Sequence, residues 1–139
     1  MRIRILISGL TFFTAAVVVA ALPVLAQGRA PSPRAKPCTI VGTAGADFLN
    51  GTSHTDVICG QGGADTIFGA GGADVIRAGA GRDRIQGGGG RDTLLGGPGN
   101  DTIYAWDGTR DQIDGGPGSD RLMGHDVGID VVGHVEKLG

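Results

Sequence analysis

Between residues 45 and 132 apolar and polar positions alternate on a fixed beat. Runs of glycine and small polar residues give way to triplets with an aliphatic centre: Leu49, Ile58, Ile67, Ile76, Ile85, Leu94, Ile103, Ile113, Leu122 and Val132. A triplet such as Thr102-Ile103-Tyr104 is β-prone, and its middle side chain points to one face while its neighbours point to the other. The six residues before it, Gly96-Gly97-Pro98-Gly99-Asn100-Asp101, are turn-forming, because glycine adopts positive φ without penalty. Turn and strand together reverse the chain every nine residues, so two repeats close one coil of about 18 residues. Coils stack at the strand spacing of ~4.8 Å, and the aliphatics form two ladders that meet in a thin core. The pattern predicts an all-β protein, a parallel β-roll (β-solenoid) of about five coils.

The aspartates keep the same time. Asp47, Asp56, Asp65, Asp74, Asp83, Asp92 and Asp101 are spaced by nine, and Asp111, Asp120 and Asp130 follow at intervals of ten, nine and ten. Glycine usually stands two residues earlier, as at Gly63, Gly72, Gly81, Gly90 and Gly99. In a two-repeat coil the aspartates sort by parity. Asp47, Asp65, Asp83, Asp101 and Asp120 fall on one edge, and Asp56, Asp74, Asp92, Asp111 and Asp130 on the other. Bare carboxylates ~5 Å apart repel by about 3 kcal/mol at an effective dielectric of 20. A hard divalent cation between coils removes that repulsion, drawing oxygen ligands from carboxylates and from the carbonyls of glycine turns. Ca²⁺ fits better than Mg²⁺, because it accepts six to eight irregular oxygen ligands. The candidate metal ligands are therefore Asp47, Asp56, Asp65, Asp74, Asp83, Asp92, Asp101, Asp111 and Asp120.

The nonapeptides GGGGRDTLL, GGPGNDTIY and GGPGSDRLM resemble the repeats-in-toxin (RTX) family, the haemolysin-type calcium-binding repeats written G-G-x-G-x-D-x-U-x. AGAGRDRIQ, GAGGADVIR and GQGGADTIF keep the essentials, and the resemblance covers roughly residues 42–132. It implies a metal-binding turn over the first six positions, a strand over the last three, and an ion between alternate repeats. Three repeats depart. GTSHTDVIC has His54 at a turn-glycine position, which weakens Asp56 as a ligand. AWDGTRDQID carries an extra residue and Trp106, which weakens Asp111. GHDVGIDVV is also stretched, so Asp130 is expected to belong to a C-terminal cap, although the cap itself is bounded at residues 133–139.

The N-terminus changes the context. MRIR is followed by an apolar run from Ile5 to about Ala21 and by Val24-Leu25-Ala26, the features of a secretory signal peptide over residues 1–26. An uncleaved membrane anchor is the rival reading, since the apolar run is nearly long enough to span. Residues 27–37, QGRAPSPRAKP, read as a flexible Pro/Arg linker, and the roll is expected over 38–132. Without Arg2 and Arg4, ten basic side chains face fourteen acidic ones, of which thirteen are Asp. That balance argues against a nucleic-acid partner. Cys38 and Cys59 are the only cysteines, and in an exported chain a disulfide between them would pin an N-terminal cap to the first coil.

The remaining side chains carry less. Trp106 and Tyr104 read as a contact patch or, more simply, as a plug over the irregular repeat. His54, His125 and His134 are scattered and suggest no zinc or catalytic cluster. Val131, Val132, Val135 and Leu138 are expected to cover the last coil, since solenoids need capped ends. No nucleophile motif is visible, so the expectation is a non-enzyme. It would be a secreted, Ca²⁺-binding structural or interaction module that folds on binding several ions. It would be extracellular, with periplasm or cell surface as alternatives, and keep no stable membrane anchor after signal cleavage. The partner class is a cell surface or polysaccharide, and the alternative is an RTX-type enzyme or toxin-like effector.

Overall fold

The computed structural model describes residues 35–126 and 129–138. The signal peptide and most of the linker expected from the sequence lie outside the described residues.

Twelve strands and no helix occur among the described residues. They are β1 (Ile40–Val41), β2 (Phe48–Asn50), β3 (Val57–Gly62), β4 (Thr66–Phe68), β5 (Val75–Ala80) and β6 (Arg84–Gln86), then β7 (Thr93–Leu95), β8 (Thr102–Ala105), β9 (Gln112–Asp114), β10 (Arg121–His125), β11 (Val131–Gly133) and β12 (Lys137–Leu138). Odd strands form one six-stranded parallel sheet and even strands the other, each strand hydrogen-bonded to the one two places on. This is the β-roll that the nine-residue beat predicts.

Register follows the aliphatic ladder. Ile58 pairs with Ile76 and Ile76 with Leu94 in the odd sheet, while Ile67 pairs with Ile85 and Ile85 with Ile103 in the even sheet. The aliphatic centres from Ile58 through Leu122 are at most 1 % exposed. Fully burying one such side chain contributes about 1.5–3 kcal/mol. The core is only these two facing rows, with Ala78 and Ala105 filling between them.

Three features go beyond the sequence expectation. Strands β3 and β5 run to six residues, because Gln61 and Gly62 continue the parallel pairing with Gly79 and Ala80 into the turn. The expected C-terminal cap includes a strand, since β12 pairs Leu138 with Leu122 and extends the even sheet. Val131 and Val132 sit over the last coil, where Val132 pairs with the core residue Ile113, but are not themselves buried. They form the terminal strand β11 of the odd sheet and are 46 % and 38 % exposed, whereas Val135 packs on the core. An end strand has no following coil to shield its outer edge.

At the other end, Cys38 and Cys59 form a disulfide with a Cα–Cα distance of 6.0 Å. It joins the segment before β1 to β3, and β1 already pairs Val41 with Cys59.

Candidate metal centre

The seven turns from Asp65 to Asp120 place their aspartate in the same way. The aspartate ends the turn and turns its side chain inward, so Asp65, Asp74, Asp92, Asp101, Asp111 and Asp120 are each 1 % exposed and Asp83 2 %. One carboxylate oxygen has a fixed partner. The backbone N–H of Asp65 donates to Oδ1 of Asp83 at 2.8 Å, Asp83 N–H to Asp101 Oδ1 at 2.8 Å, and Asp101 N–H to Asp120 Oδ1 at 2.8 Å. On the opposite edge Asp56 N–H donates to Asp74, Asp74 to Asp92, Asp92 to Asp111 and Asp111 to Asp130, all at 2.8–2.9 Å. The two edges sort by parity, as the two-repeat coil requires.

The other oxygen has no partner. Oδ2 of Asp65, Asp74, Asp83, Asp92, Asp101, Asp111 and Asp120 is buried and accepts no hydrogen bond. A buried unpaired carboxylate oxygen is costly, about 1–3 kcal/mol or more when charged. Seven in a row demand a compensating group.

In five of the seven turns, those of Asp65, Asp74, Asp92, Asp101 and Asp120, the opening glycine leaves room beside that oxygen. A Cβ placed on Gly60 would stand 2.4 Å from Asp65 Oδ2 and 2.3 Å from the carbonyl oxygen of Ala78 in the next coil. A Cβ on Gly96 would stand 2.4 Å from Asp101 Oδ2 and 2.5 Å from Gly115 O. In these turns the carboxylate and a carbonyl of the following coil flank one place, while the Asp83 and Asp111 turns carry Ala78 and Ala105 there and still leave Oδ2 open. Among the described residues no group of three or more His, Cys, Asp or Glu side chains converges on a common point. A cation here would take its remaining ligands from turn carbonyls and water, the oxygen-rich and irregular donor set that suits Ca²⁺. The histidines join no such set; His134 Nδ1 lies 2.9 Å from Asp114 Oδ1 on the surface.

The protonation behaviour agrees with that cost. Burial, opposed by the backbone N–H of Asp74, pushes the Asp92 carboxyl up to about 7, with Asp111, Asp74 and Asp107 adding to the rise. Burial likewise raises Asp101 and Asp111 to about 6, and raises Asp74, Asp83 and Asp120. Burial, ahead of the mutual repulsion emphasised by the sequence argument, is the main reason these carboxylates resist carrying charge on their own.

The irregular repeats behave differently from one another. The extra residue near Trp106 is absorbed in the turn, where Asp107 accepts from Gly90 N–H at 2.8 Å and from the Thr109 N–H at 2.7 Å. Asp111 therefore keeps its place in the ladder. Asp130, assigned to the cap from sequence, also joins it through the Asp111 N–H, while its Oδ2 accepts from Asp126 N–H at 2.8 Å. Asp47 and Asp56 keep the position but not the open oxygen. Thr43 N–H and Oγ1 donate to Asp47 Oδ2 at 2.5 and 2.9 Å, and Thr52 does the same for Asp56 at 2.7 and 2.8 Å. The Thr52 hydroxyl and N–H hold Asp56 below its ordinary value. Glu136, the single glutamate and not among the expected ligands, receives the Asp120 N–H. Its offset of sixteen residues hides it from a search at nine.

Two rows of inward carboxylates, seven of them with one oxygen unspent, define a cation-binding parallel β-roll. The model of the RTX calcium-binding nonapeptide repeat (4 copies) matches residues 39–67, 68–103 and 107–126, and the chain belongs to that family. No curated protein and no solved structure matches the chain.

Proposed function

We propose that the protein is an exported, non-enzymatic module whose roll is set by Ca²⁺ once outside the cell. The seven buried, unpartnered Oδ2 atoms carry this reading. Without cations those oxygens are both desolvated and repelling, and a core of two aliphatic rows is too thin to offset the entropy of ordering the chain. Calcium at extracellular levels, where such modules bind at ~10⁻⁴–10⁻³ M, relieves both costs. The chain stays unfolded during export and folds on arrival. Export itself rests on the basic, apolar and Val-x-Ala features of residues 1–26.

The even sheet is the proposed contact face, and the proposed partner is an acidic polysaccharide. Strands β2, β4, β6, β8 and β10 contain no Asp or Glu, although the protein is acidic overall. Their outward side chains include Phe48, Phe68, Arg84, Tyr104 and Arg121. Phe48 and Phe68 lie with ring centroids 5.5 Å apart, and the Arg84 guanidinium stands 5.0 Å from the Tyr104 ring centre. Trp106 is 81 % exposed beside a cleft of about 180 Å³ formed with Tyr104, Met123 and Gln86, so it does not plug the irregular repeat. Flat aromatic rings beside guanidinium groups suit sugar faces and their carboxylates.

Far-ultraviolet circular dichroism of residues 27–139 tests the calcium step. A disordered spectrum that becomes β-rich near millimolar Ca²⁺, and not with Mg²⁺, supports it. A β-rich spectrum in chelator, indifferent to Ca²⁺, rejects it. Binding to acidic and neutral polysaccharides, run beside lytic and glycan-cleaving assays, separates a binding module from an effector enzyme.

A further inference from the structure

In the seven turns from Asp65 to Asp120, Oδ2 is left open. In the two turns before them it is not. Thr43 and Thr52 occupy the second turn position, where later repeats carry Gln61, Ala70, Gly79, Gly88, Gly97 and Gly116. All six of these later residues have positive φ, between 76° and 108°. Thr43 and Thr52 are not among the described residues with positive φ. In those six later turns that backbone hand turns the N–H away from the carboxylate of its own turn; the seventh, that of Asp111, carries an extra residue and has its positive φ at Gly108 instead (83°). At Thr43 and Thr52 the N–H points inward and donates to the carboxylate. At Gly79 and Gly97 it points to the next coil and donates to Gly96 O and Gly115 O, both at 2.9 Å.

The threonine hydroxyl completes the closure. Thr43 Oγ1 donates to Asp47 Oδ2 and accepts from Gly45 N–H at 3.1 Å. Thr52 Oγ1 donates to Asp56 Oδ2 and accepts from His54 N–H at 3.1 Å. Each turn is then satisfied internally. Thr39 adds a hydroxyl donor to Asp56 Oδ1 at 3.3 Å, in the place where a preceding repeat would have offered an aspartate N–H.

We propose that Thr43 and Thr52 close the first two turns to calcium, so that the ion array begins at Asp65 and the first coil serves as a disulfide-held end cap needing no metal of its own. A β-branched residue is disfavoured at positive φ, so threonine both supplies the donors and holds the turn in the hand that aims them. Terminal repeats of a solenoid are atypical for a physical reason, since they have a neighbour on one side only. An ion shared between coils loses half its shell at an end, whereas a hydroxyl within the turn does not. The far end follows the same logic, with Asp130 Oδ2 satisfied by Asp126 N–H.

The proposal rests on the calcium reading above, and the test separates the two. Bound Ca²⁺ per chain is measured by equilibrium dialysis and elemental analysis on residues 27–139, with circular dichroism in saturating Ca²⁺ as a folding control. Asp47→Ala/Asp56→Ala keeps the wild-type ion count, and Thr43→Gly/Thr52→Gly, which frees Oδ2 and permits positive φ, gains at least one ion. Loss of ions in the alanine pair with the β spectrum retained, or no gain in the glycine pair, overturns the proposal and leaves the calcium reading standing. No calcium uptake by the wild-type chain overturns both.

Discussion

The backbone N–H of Asp120 donates to Oε2 of Glu136 at 2.5 Å, sixteen residues ahead. Earlier turns make the same bond to an aspartate eighteen or nineteen residues ahead. The longer glutamate side chain makes up for a shorter path, and so the ladder ends on a residue outside the repeat. Glu136→Ala is expected to leave Asp120 N–H without its acceptor, at a cost of about 1–2 kcal/mol, and to release β12. Amide exchange at Asp120 in saturating Ca²⁺ should speed up, while exchange at Asp65 stays as it was. Equal acceleration at both would show that Glu136 acts on the whole roll.

Asp92 and Asp101 lie on opposite edges, both deep in the array. Asp92→Ala or Asp101→Ala should each lose at least one bound ion and shift the folding midpoint to higher Ca²⁺. An unchanged calcium stoichiometry in both variants would remove these carboxylates from the ligand set.

Acidity should act in opposite directions on the metal-free and calcium-loaded roll. The carboxyls of Asp92, Asp101 and Asp111 are raised from 3.8 to about 7, 6 and 6 in the folded chain. Below 3.8 they are protonated in both states. As pH climbs toward 7 the unfolded chain releases its protons first, so the metal-free roll loses stability across that window. Calcium needs the charged form and must displace those protons. In chelator, the β signal should be greater at pH 5 than at pH 8. In titration calorimetry, Ca²⁺ affinity should fall by roughly tenfold or more between pH 7.5 and pH 5.5, a drop set by the linkage of proton and metal at shared groups. Affinity that is flat over this interval would contradict the buried-carboxylate assignment.

Gly99 has φ of 156°, and a Cβ there would stand 1.5 Å from Gly81 O in the coil below. Backbone cannot yield that distance, so Gly99→Ala should force two coils apart and cost several kcal/mol, more than an Ile85→Ala truncation at about 2–5 kcal/mol. At Gly89 a Cβ meets nothing within 4 Å, and Gly89→Ala should be near neutral. Calcium midpoints of the three variants rank them, and a tolerated Gly99→Ala would refute the close stacking.

The sequence by itself determined the coil. A period of nine, with the aliphatic two residues behind each aspartate, admits only a turn and a short strand. Residues of like parity must then stack, because the side-chain period of a strand is two. The same regularity placed Asp65 through Asp120 on two edges. The pairing of Cys38 with Cys59 was expected from export and from their position around the first coil. Only the tertiary structure decided which oxygens are spent. Asp47 and Asp83 look alike in the repeat, yet one is closed by a threonine in its own turn and the other is open. Between these two it goes with Thr43 in one turn and Gly79, at a φ of 108°, in the other, a local choice that the aspartate period does not encode. An extra residue near Asp111 and near Asp130 breaks the period in the sequence, yet both hold the ladder, because a turn loop absorbs an insertion that a strand register would not. Glu136 and β12 were invisible for the converse reason: they restore the ladder by side-chain length and chain path, and neither leaves a period to read.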